Sequence, residues 1–339
     1  MGEGGTVLKA LVTGGGGFLG GVIVRMLHER GDKVRSFSRG EYPALAALGV
    51  EQVRGGLEDR DAVTAAAKGC DLVFHVAAKA GIWGSYHDFY QANVVGTEHV
   101  IAACLNNGIN KLVYTSSPSV VFDGSDVEGC NESLPYPAFY EANYPATKAL
   151  AEQLVLAANS SELAVTSLRP HLIWGPGDNH LVPRIIAKGR AGKLRRIGSK
   201  PNLVDTVYVD NAARAHLQVA DLLSPGSCVA GKCYFISNDE PLPLWEMVNR
   251  ILAAADILPV TRSIPPKLAV AVGCICEALW GTLRLKGEPP MTRFVAHELA
   301  TAHWFDISAA RRDFGYHPEV SIDEGLLRLR HWLLPLRNK

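Results

Sequence analysis

A tyrosine and a lysine stand four residues apart in the segment EANYPATKALAE, residues 141–152, as Tyr144 and Lys148. Residues at this spacing share one face of a helix, so the ammonium group can lie beside the phenol. A nearby cation stabilises phenolate and lowers a pKa that is ordinarily about 10, which predicts acid–base chemistry for Tyr144 near neutral pH. The reduction of a carbonyl group requires a proton donor of this kind.

A third polar group is needed to hold the oxygen of a reacting carbonyl. The segment KLVYTSSPSVV, residues 111–121, places Ser116 and Ser117 at the end of a buried-strand pattern. Open parallel sheets bind ligands beyond the carboxyl ends of their strands. We predict Ser117 as the catalytic serine; without Tyr144 and Lys148, two serines at a strand end would indicate only a turn.

A glycine-rich loop follows the first strand pattern of the chain. The segment LKALVTGGGGFLGGVIVRML, residues 8–27, places a strand before Gly14, Gly17 and Gly20 and an apolar helix after them. Phosphate groups bind at a helix N-terminus, where free N–H groups and the helix dipole meet their charge, and the last glycine allows close helix–strand packing. The pattern predicts a dinucleotide-binding loop, with a simple glycine turn as the alternative.

The end of the second strand pattern carries Ser38 and Arg39. Proteins that bind NAD usually have an acidic residue here, which accepts a hydrogen bond from the ribose 2′-hydroxyl. A serine and a guanidinium group suit a 2′-phosphate instead. We therefore predict NADP(H) as the cofactor, with NAD(H) as the alternative if Arg39 only points to solvent.

Short β-branched runs alternate with helical patterns along the first half of the chain. This alternation predicts parallel strands joined by crossover helices, and the nearly continuous apolar strands predict a sheet covered on both faces. The predicted fold class is α/β, a doubly wound parallel sheet of the Rossmann type with a smaller interleaved C-terminal substrate domain. We assign residues 1–175 to the dinucleotide-binding domain, with 205–238 returning to it, and 176–204 and 239–339 to the substrate-binding domain.

The composition favours a small-molecule ligand. Thirty-four basic residues balance thirty-four acidic residues among 339, so net charge gives no attraction to nucleic acid. The seven cysteines are scattered, which indicates reduced thiols and a cytoplasmic protein. Cys274 and Cys276 lack a second ligand pair, so no metal site is predicted.

One segment, LAVAVGCICEALWGTL at residues 268–283, is unusually apolar. Sixteen residues interrupted by Glu277 are too short for a membrane span. We predict a buried helix that lines an apolar pocket. The alternative is a shallow contact with a membrane surface, which would make the protein peripheral to a membrane.

Seven segments along nearly the whole chain together resemble one protein family. They are TGGGGFLG, HVAA, NVVGT, YTSS, YPATK, LRPHLIWGPGD and DTVYVDNAARAH. In this order they are similar to the extended short-chain dehydrogenase/reductases, and among these to the 3β-hydroxysteroid dehydrogenase group. The resemblance implies that Ser117, Tyr144 and Lys148 form the catalytic set and that Asn93 holds the proton-relay region.

The same resemblance implies the residues that contact the cofactor. Gly56 stands where the family commonly has an aspartate near adenine, so the adenine contacts depend on Leu57. The other implied cofactor residues, besides the glycines of the loop and Ser38 and Arg39, are Phe18, Leu19, Val76, Ala77, Ala78, Thr115, Tyr144, Lys148, Pro170 and Leu172.

Four longer segments indicate a subgroup: AAKAGIWGSYHDFYQANVVGT, RPHLIWGPGDNHLVPRI, YFISNDEPLPLWEMVNRIL and ARRDFGYHPEVSIDEGL. They are most similar to bacterial 2-alkyl-3-oxoalkanoate reductases of long-chain olefin biosynthesis. This resemblance implies NADPH-dependent reduction of a branched β-keto acid to the 2-alkyl-3-hydroxyalkanoate, and association with neighbouring enzymes of the pathway. The family resemblance also implies a homodimer formed through helices at 87–107 and 143–158.

A branched, hydrophobic substrate requires a wide apolar cleft. Trp83 and Trp174 are predicted to line it, with a place in the core as the alternative for each tryptophan. Arg184 is predicted to bind the substrate carboxylate, with a solvated surface charge as the alternative. The alternative functions are a sterol or steroid 3β-hydroxy dehydrogenase, a nucleotide-sugar epimerase or dehydratase, and a non-catalytic redox-sensing protein. The last would lack Tyr144 and Lys148, and this chain has both.

Overall fold

The computed structural model describes residues 7–334. The strands are β1 (Lys9–Thr13), β2 (Lys33–Ser38), β3 (Glu51–Arg54), β4 (Leu72–His75), β5 (Lys111–Thr115), β6 (Val127–Cys130), β7 (Ala164–Pro170), β8 (Ile173–Trp174), β9 (Arg196–Ile197), β10 (Leu203–Val204), β11 (Val207–Tyr208), β12 (Lys232–Ile236), β13 (Leu242–Pro243), β14 (Ser263–Ile264) and β15 (His303–Phe305).

The helices are α1 (Phe18–Arg30), α2 (Pro43–Ala47), α3 (Arg60–Ala67), α4 (Tyr86–Tyr90), α5 (Gly96–Asn106), α6 (Asn143–Ala157), α7 (Leu181–Arg190), α8 (Val209–Leu222), α9 (Leu244–Ala254), α10 (Pro266–Leu283), α11 (Arg293–Ala300), α12 (Ser308–Phe314) and α13 (Ile322–Leu333). A π-helix, Gln91–Val95, joins α4 to α5, and a 3₁₀ helix, Pro118–Val121, follows β5.

The large sheet has seven strands in the order β12-β7-β5-β4-β1-β2-β3, and every neighbouring pair is parallel. This architecture confirms the predicted doubly wound α/β fold. The chain leaves β1 toward β2 on one side and reaches β4 on the other, so the strand order reverses between β1 and β4. Ligands bind at such a reversal, beyond the carboxyl ends of the strands. The glycine loop follows β1 and residues 76–78 follow β4, which brings both to this point.

Helices cover both faces of the large sheet and explain why its central strands are apolar throughout. On one face, Ile23 of α1 and Ala212 of α8 pack into a core with Val12 of β1. On the other, Val63 of α3 and Val155 of α6 pack into a second core that includes residues of the same strands. A strand between two such layers presents both of its faces to apolar side chains.

A smaller layer lies beyond the large sheet. Its four strands run in the order β13-β10-β15-β6, so β6 from the first half of the chain pairs with β15 near its end. A third apolar cluster lies beneath α9, α10 and α11 and includes Trp245, Leu252 and Ala269. The chain thus passes between the two layers more than once, which holds them against each other.

Helix α10 departs from the sequence prediction. Only Ala269 and Gly273 of its eighteen residues are buried, so the helix lies on the surface instead of inside an apolar pocket. By length and composition it could cross a membrane, and it is the one helix of that kind among residues 7–334. Hydropathy predicted the helix itself but not its exposure, because a buried helix and a membrane-facing helix have similar composition.

Candidate active site

Helix α6 carries the predicted pair at its N-terminal end. The helix begins at Asn143, so Tyr144 and Pro145 lie in the first turn, where a missing N–H group costs nothing. Lys148 follows one turn later and is only 2% exposed. Its Nζ atom donates a hydrogen bond to the carbonyl oxygen of Thr115 at 2.6 Å and lies 4.1 Å from the centre of the Tyr114 ring. The end of β5 therefore fixes the ammonium group.

The pKa of Tyr144 differs from the prediction. The pKa of this phenol is raised to about 12, chiefly by burial; the hydroxyl of Ser117 acts in the opposite direction, and the charge of Glu298 adds a smaller rise. The predicted lowering by Lys148 is wrong, because the ammonium group donates to the backbone oxygen of Thr115 and the desolvation of phenolate dominates. Tyr144 consequently keeps its proton at neutral pH, as a proton donor must.

Burial also changes the pKa of Lys148, in the opposite direction because its charged form is a cation. Burial lowers the pKa of its ammonium group to about 7, and Glu152, one turn further along α6, opposes that change. Near neutral pH the group is therefore close to the point at which it gains or loses a proton. A polar ligand that accepts its hydrogen bonds would favour the charged form.

The two serines after β5 face different surroundings. Ser117 caps the 3₁₀ helix and contacts the hydroxyl of Ser119 at 2.9 Å, on the side where Tyr144 lies. Ser116 is 4% exposed, and its backbone N–H donates to Leu168 in β7. The geometry favours Ser117 as the serine that can reach a ligand beside Tyr144.

Asn93 lies at the centre of the π-helix and is 2% exposed. Its side-chain oxygen accepts from the backbone N–H of Lys79 at 2.7 Å, and its side-chain nitrogen donates to the backbone oxygen of Lys79 and to the hydroxyl of Thr147. These bonds join the segment after β4 to α6. A π-turn is unusual and is often found at functional sites. The structure thus places Asn93 as the link behind Tyr144 and Lys148.

The glycine loop fits the diphosphate of a dinucleotide. Gly14 has φ 72°, and a side chain there would approach the backbone of Ala77 to 3.0 Å. A side chain at Gly20 would approach the carbonyl oxygen of Gly14 to 2.2 Å, so α1 and β1 pack closely because both positions are glycine. No side chain caps the N-terminus of α1 at Gly17, which leaves its backbone N–H groups for an anion.

A buried polar network fixes the backbone of residues 76–78 after β4, which is predicted to contact the cofactor. The hydroxyl of Thr13 accepts from the backbone N–H groups of Val76 and Ala77 and contacts His75 at 2.8 Å. The other ring nitrogen of His75 lies 3.0 Å from the hydroxyl of Thr97. Sequence reasoning missed the roles of Thr13, His75 and Thr97, although all three lie within the quoted motifs TGGGGFLG, HVAA and NVVGT.

The predicted coenzyme-selecting residues lie beside the loop. The hydroxyl of Ser38 accepts a hydrogen bond from the backbone N–H of Gly16 at 3.4 Å. Arg39 is exposed and forms no ion pair within residues 7–334. Leu57 lies after β3 and is 9% exposed. Its backbone oxygen contacts His99 at 2.8 Å.

The segment after β7 holds a second polar network that no sequence pattern predicted. His171 contacts the carboxylate of Asp205, and its other ring nitrogen lies 3.2 Å from His303. The neighbouring Leu172 has φ 42°, a conformation that is uncommon for a residue with a side chain. The network fixes the backbone between Pro170 and Leu172, which are the residues predicted to lie near nicotinamide. Asp205 belongs to the quoted motif DTVYVDNAARAH, whereas His303 belongs to no motif.

A cavity of about 290 Å³ opens beside the start of α6. Trp83 and Phe89 line it on one side, and Asn143 of α6 lines it on another. Arg293 is the one cation among the lining residues and forms an ion pair with Glu277 at 2.7 Å. The cavity therefore combines aromatic walls with one paired cation and two carboxylate side chains.

The other two predicted substrate residues lie elsewhere. The prediction for Trp174 is wrong, because this side chain is 0% exposed, donates to the hydroxyl of Thr206 at 3.0 Å and packs against Tyr208 in the core. Arg184 is exposed, does not line the cavity and forms an ion pair with Glu288 at 2.6 Å. Of the two arginines, Arg293 is the one the structure places next to α6.

Glu298 of α11 is a titratable group that no sequence pattern indicated. Burial raises the pKa of its carboxyl group to about 7. Its charge contributes to the raised pKa of Tyr144, so the two side chains lie near each other. A carboxyl group that ionises near neutral pH next to a proton donor is typical of active sites.

The parallel sheet, the uncapped glycine loop and the Ser117, Tyr144 and Lys148 set define an extended short-chain dehydrogenase/reductase. The model of the 3-beta hydroxysteroid dehydrogenase/isomerase family matches residues 11–265. The chain belongs to this family, as the resemblance predicted.

Individual relatives narrow the comparison. A 2-alkyl-3-oxoalkanoate reductase of Stenotrophomonas maltophilia (strain K279a) is 55% identical over 95% of this chain and 98% of its own. A decarboxylating sterol-4-alpha-carboxylate 3-dehydrogenase of Mus musculus is 35% identical over 94% of this chain and 89% of its own. The solved structure of MoeE5 in complex with UDP-glucose and NAD has a TM-score of 0.74 at 24% identity, over 97% of this chain and 99% of its own, and shares the fold.

Proposed function

We propose that the protein reduces a 2-alkyl-3-oxoalkanoate to the 2-alkyl-3-hydroxyalkanoate with NADPH. The observation that carries this proposal is the 55% identity, over nearly the full length of both chains, to a reductase of that name. The site supports the same chemistry, because Tyr144 keeps its proton at neutral pH and Ser117 lies beside it. The reaction sequence that contains this step would be the biosynthesis of long-chain olefins.

Each residue of the site has a separate task in this reaction. The chemistry that bound NADPH supplies is a hydride for carbon 3 of the oxo acid. Ser117 donates a hydrogen bond to the carbonyl oxygen, and Tyr144 transfers its phenolic proton to the same oxygen. Lys148 stabilises the resulting phenolate and binds the ribose. Asn93 holds the segment after β4 against α6 through its hydrogen bonds to Lys79 and Thr147.

The alternative is a sterol 3-dehydrogenase, which the mouse relative favours. Both candidate substrates carry a carboxylate on the carbon next to the reacting one, so recognition of that carboxylate by a cation would not distinguish them. The decisive experiment measures NADPH oxidation with a 2-alkyl-3-oxo acid and, in parallel, with a 3-ketosteroid. Turnover of the oxo acid alone supports the proposal, and turnover of the steroid alone would overturn it.

Replacing Arg39 with aspartate is expected to shift coenzyme preference from NADPH toward NADH by about 100-fold in kcat/KM. The change removes a cation suited to the 2′-phosphate and adds an anion suited to the 2′-hydroxyl, which is worth a few kcal/mol in total. The measurement is kcat/KM for both coenzymes with one oxo acid. Arg54, which also lies near this end of the sheet and pairs with Glu41, provides the control variant Arg54→Asp. Unchanged selectivity in Arg39→Asp would show that Arg39 does not bind the coenzyme.

The KM for the oxo acid is expected to rise about tenfold between pH 6 and pH 8, because ionised Glu298 repels a substrate carboxylate at close range. Glu298→Gln should make this profile flat. The free energy of unfolding should also depend on the ionisation of Glu298. Because burial raises the pKa of this carboxyl group from 4.5 to about 7 in the folded state, the free energy of unfolding should fall as pH rises through that range. Glu298→Gln should therefore raise the free energy of unfolding at pH 8 and leave it unchanged at pH 4. An unaltered KM profile in Glu298→Gln would assign the titration to another group.

A further inference from the structure

Two buried histidines and a buried aspartate form a chain of hydrogen bonds that the proposed mechanism does not use. His171 follows β7, Asp205 lies between β10 and β11, and His303 begins β15. None of the three residues is more than 9% exposed. His171 contacts Asp205 through Nδ1, and its Nε2 atom lies 3.2 Å from Nδ1 of His303. The Nε2 atom of His303 lies 2.9 Å from the backbone oxygen of Glu298. The chain thus runs from the backbone of α11 to the carboxylate of Asp205.

The hydrogen bonds determine how many protons this chain carries. The backbone oxygen of Glu298 can only accept, so Nε2 of His303 carries a proton. When His303 is neutral, its Nδ1 atom has no proton and accepts from Nε2 of His171. The Oδ2 atom of Asp205 accepts from the backbone N–H of Phe305 at 3.0 Å, and its Oδ1 atom faces Nδ1 of His171. A proton must lie between these last two atoms, because two acceptors without one would repel each other.

The additional proton belongs to His171. Burial and the charge of His171 lower the pKa of His303 to about 4, so His303 is neutral near pH 7. A carboxylic acid is ordinarily a much stronger acid than an imidazolium ion, which places the shared proton on the ring and not on Asp205. The geometry therefore implies an imidazolium ion at His171 that is paired with the carboxylate of Asp205. Pairing of this kind is what allows a charge to be buried.

This chain joins the two layers of the protein. The backbone N–H of His171 donates to Ile236 of the large sheet at 3.0 Å. Asp205 and His303 belong to the smaller layer, where the backbone N–H of Asp205 donates to the backbone oxygen of His303 and β10 pairs with β15. Helix α11 directly precedes β15 and contributes Arg293 to the lining of the active-site cavity. The imidazolium ion thus holds the end of β7 against the layer that lines the cavity.

The backbone next to His171 has an unusual conformation. Leu172 has φ 42°, in the left-handed region that residues with a side chain rarely adopt. Such a conformation persists only where the surrounding structure fixes it. The chain of hydrogen bonds fixes Leu172 on one side, and the pairing of Ile173 with Val207 fixes it on the other. Because Pro170 and Leu172 are predicted to lie near nicotinamide, the same contacts fix the surface against which that ring would lie.

We propose that His171, held as an imidazolium ion by Asp205 and His303, is a positioning residue for hydride transfer. This inference rests on the proposed function. Hydride transfer depends on the distance between nicotinamide and carbon 3 of the oxo acid, and a displacement of about 1 Å can slow a reaction about 100-fold. The end of β7 is predicted to lie against nicotinamide, and α11 lines the cavity. The chain of hydrogen bonds sets these two parts of the site at a fixed separation.

Nuclear magnetic resonance tests the protonation without coenzyme or substrate. In protein labelled with nitrogen-15 at its histidines, correlation spectra at neutral pH show which ring nitrogens carry a proton. Both ring nitrogens of His171 should carry one in the wild type. Asp205→Asn should remove the proton from Nδ1 of His171, because the amide can donate to that nitrogen and every hydrogen bond of the chain is then made by neutral groups. A wild-type Nδ1 atom without a proton would refute the imidazolium ion.

His171→Phe should lower kcat for the oxo acid about 100-fold and change the dissociation constant for NADPH less than about threefold. The substitution keeps an aromatic ring at this position and leaves the glycine loop unaltered. The deuterium isotope effect on kcat, measured with NADPH that carries deuterium at the transferred position, should rise because hydride transfer then limits turnover. A merely structural role would lower the amount of folded protein and leave the isotope effect unchanged.

Other variants test whether the chain acts as a unit. His171→Phe/His303→Phe should lose no more activity than either single variant, because both rings belong to one chain. Asp205→Asn should keep kcat within about fivefold of the wild type, since the chain is rebuilt with neutral groups, whereas Asp205→Ala should lose as much as His171→Phe. The matched control is Thr206→Val, which removes the buried hydroxyl that accepts from Trp174 at 3.0 Å. This hydroxyl lies outside the chain, so Thr206→Val should keep kcat within a fewfold of the wild type.

The outcomes separate this inference from the proposed function. Wild-type kcat in His171→Phe, or an equal loss in Thr206→Val, would remove the positioning role and leave the function standing. If His171→Phe does not fold, equal kcat in Asp205→Asn and Asp205→Ala would remove that role in the same way. A protonated His171 in a wild-type protein that does not reduce the oxo acid would instead overturn the proposed function and leave the imidazolium ion in place.

Discussion

Tyr144→Phe is expected to lower kcat for reduction of the oxo acid by about 1,000-fold and to change the dissociation constant for NADPH less than about threefold. The substitution removes one oxygen atom and leaves a ring of the same shape at the start of α6. Loss of turnover without loss of coenzyme binding would show that the hydroxyl acts on the substrate. The measurements are steady-state kinetics and fluorescence titration with NADPH.

Tyr140 offers a matched control for this substitution. It precedes α6 in the chain, and its hydroxyl donates to the backbone oxygen of Val120 at 2.8 Å. Tyr140→Phe removes a comparable phenol hydroxyl without touching the proposed proton donor, so we expect kcat within a fewfold of the wild type. Equal losses in the two variants would mean that phenol hydroxyls support the local structure and that Tyr144 is not the acid.

The sequence predicted those parts of the site that depend on short, local patterns. The spacing of Tyr144 and Lys148 required only that α6 be helical, and the glycine loop required only a strand before it and a helix after it. Both conditions are visible in adjacent residues, because periodicity and turn chemistry are local properties. The placement of Lys148 one turn after Tyr144 therefore follows from the residues of α6 alone.

Properties that depend on packing could not be predicted in this way. The pKa of Tyr144 was expected to fall, but burial raises it, and desolvation depends on segments far along the chain. Trp174 was expected in the substrate cleft and lies in the core. Hydrophobicity alone does not separate a tryptophan that lines a cavity from one that fills a core, because both environments are apolar.

Residues brought together from distant segments were the least visible. His171, Asp205 and His303 form one network from three separate parts of the chain. Glu298 acts on Tyr144 across 154 positions, since 298 − 144 = 154. Neither arrangement has a characteristic spacing, because a contact between elements depends on how those elements pack and not on the sequence between them.

The catalytic helix is supported from within by a buried ion pair. Glu152 of α6 is 0% exposed and accepts from the side chain of Arg169 in β7, with the shortest contact at 2.6 Å. The hydroxyls of Ser167 and Tyr136 donate to the same carboxylate. Arg169 also lies 5.2 Å from the centre of the Phe235 ring. The carboxylate thus joins α6 to the large sheet one turn beyond Lys148.

Glu152→Gln is expected to lower the free energy of unfolding by about 3 to 5 kcal/mol, because the buried guanidinium group of Arg169 is then left without its counter-charge. The measurement is urea denaturation at neutral pH followed by circular dichroism. Glu246→Gln removes the same charge from the exposed pair with Arg250 on α9 and should cost less than about 1 kcal/mol. The double variant Glu152→Met/Arg169→Met should recover much of the loss, since it removes both buried charges together. If Glu152→Gln were no more damaging than Glu246→Gln, the pair would not hold α6 against the sheet, and the position of Lys148 would have to depend on Thr115 and Asn93 instead.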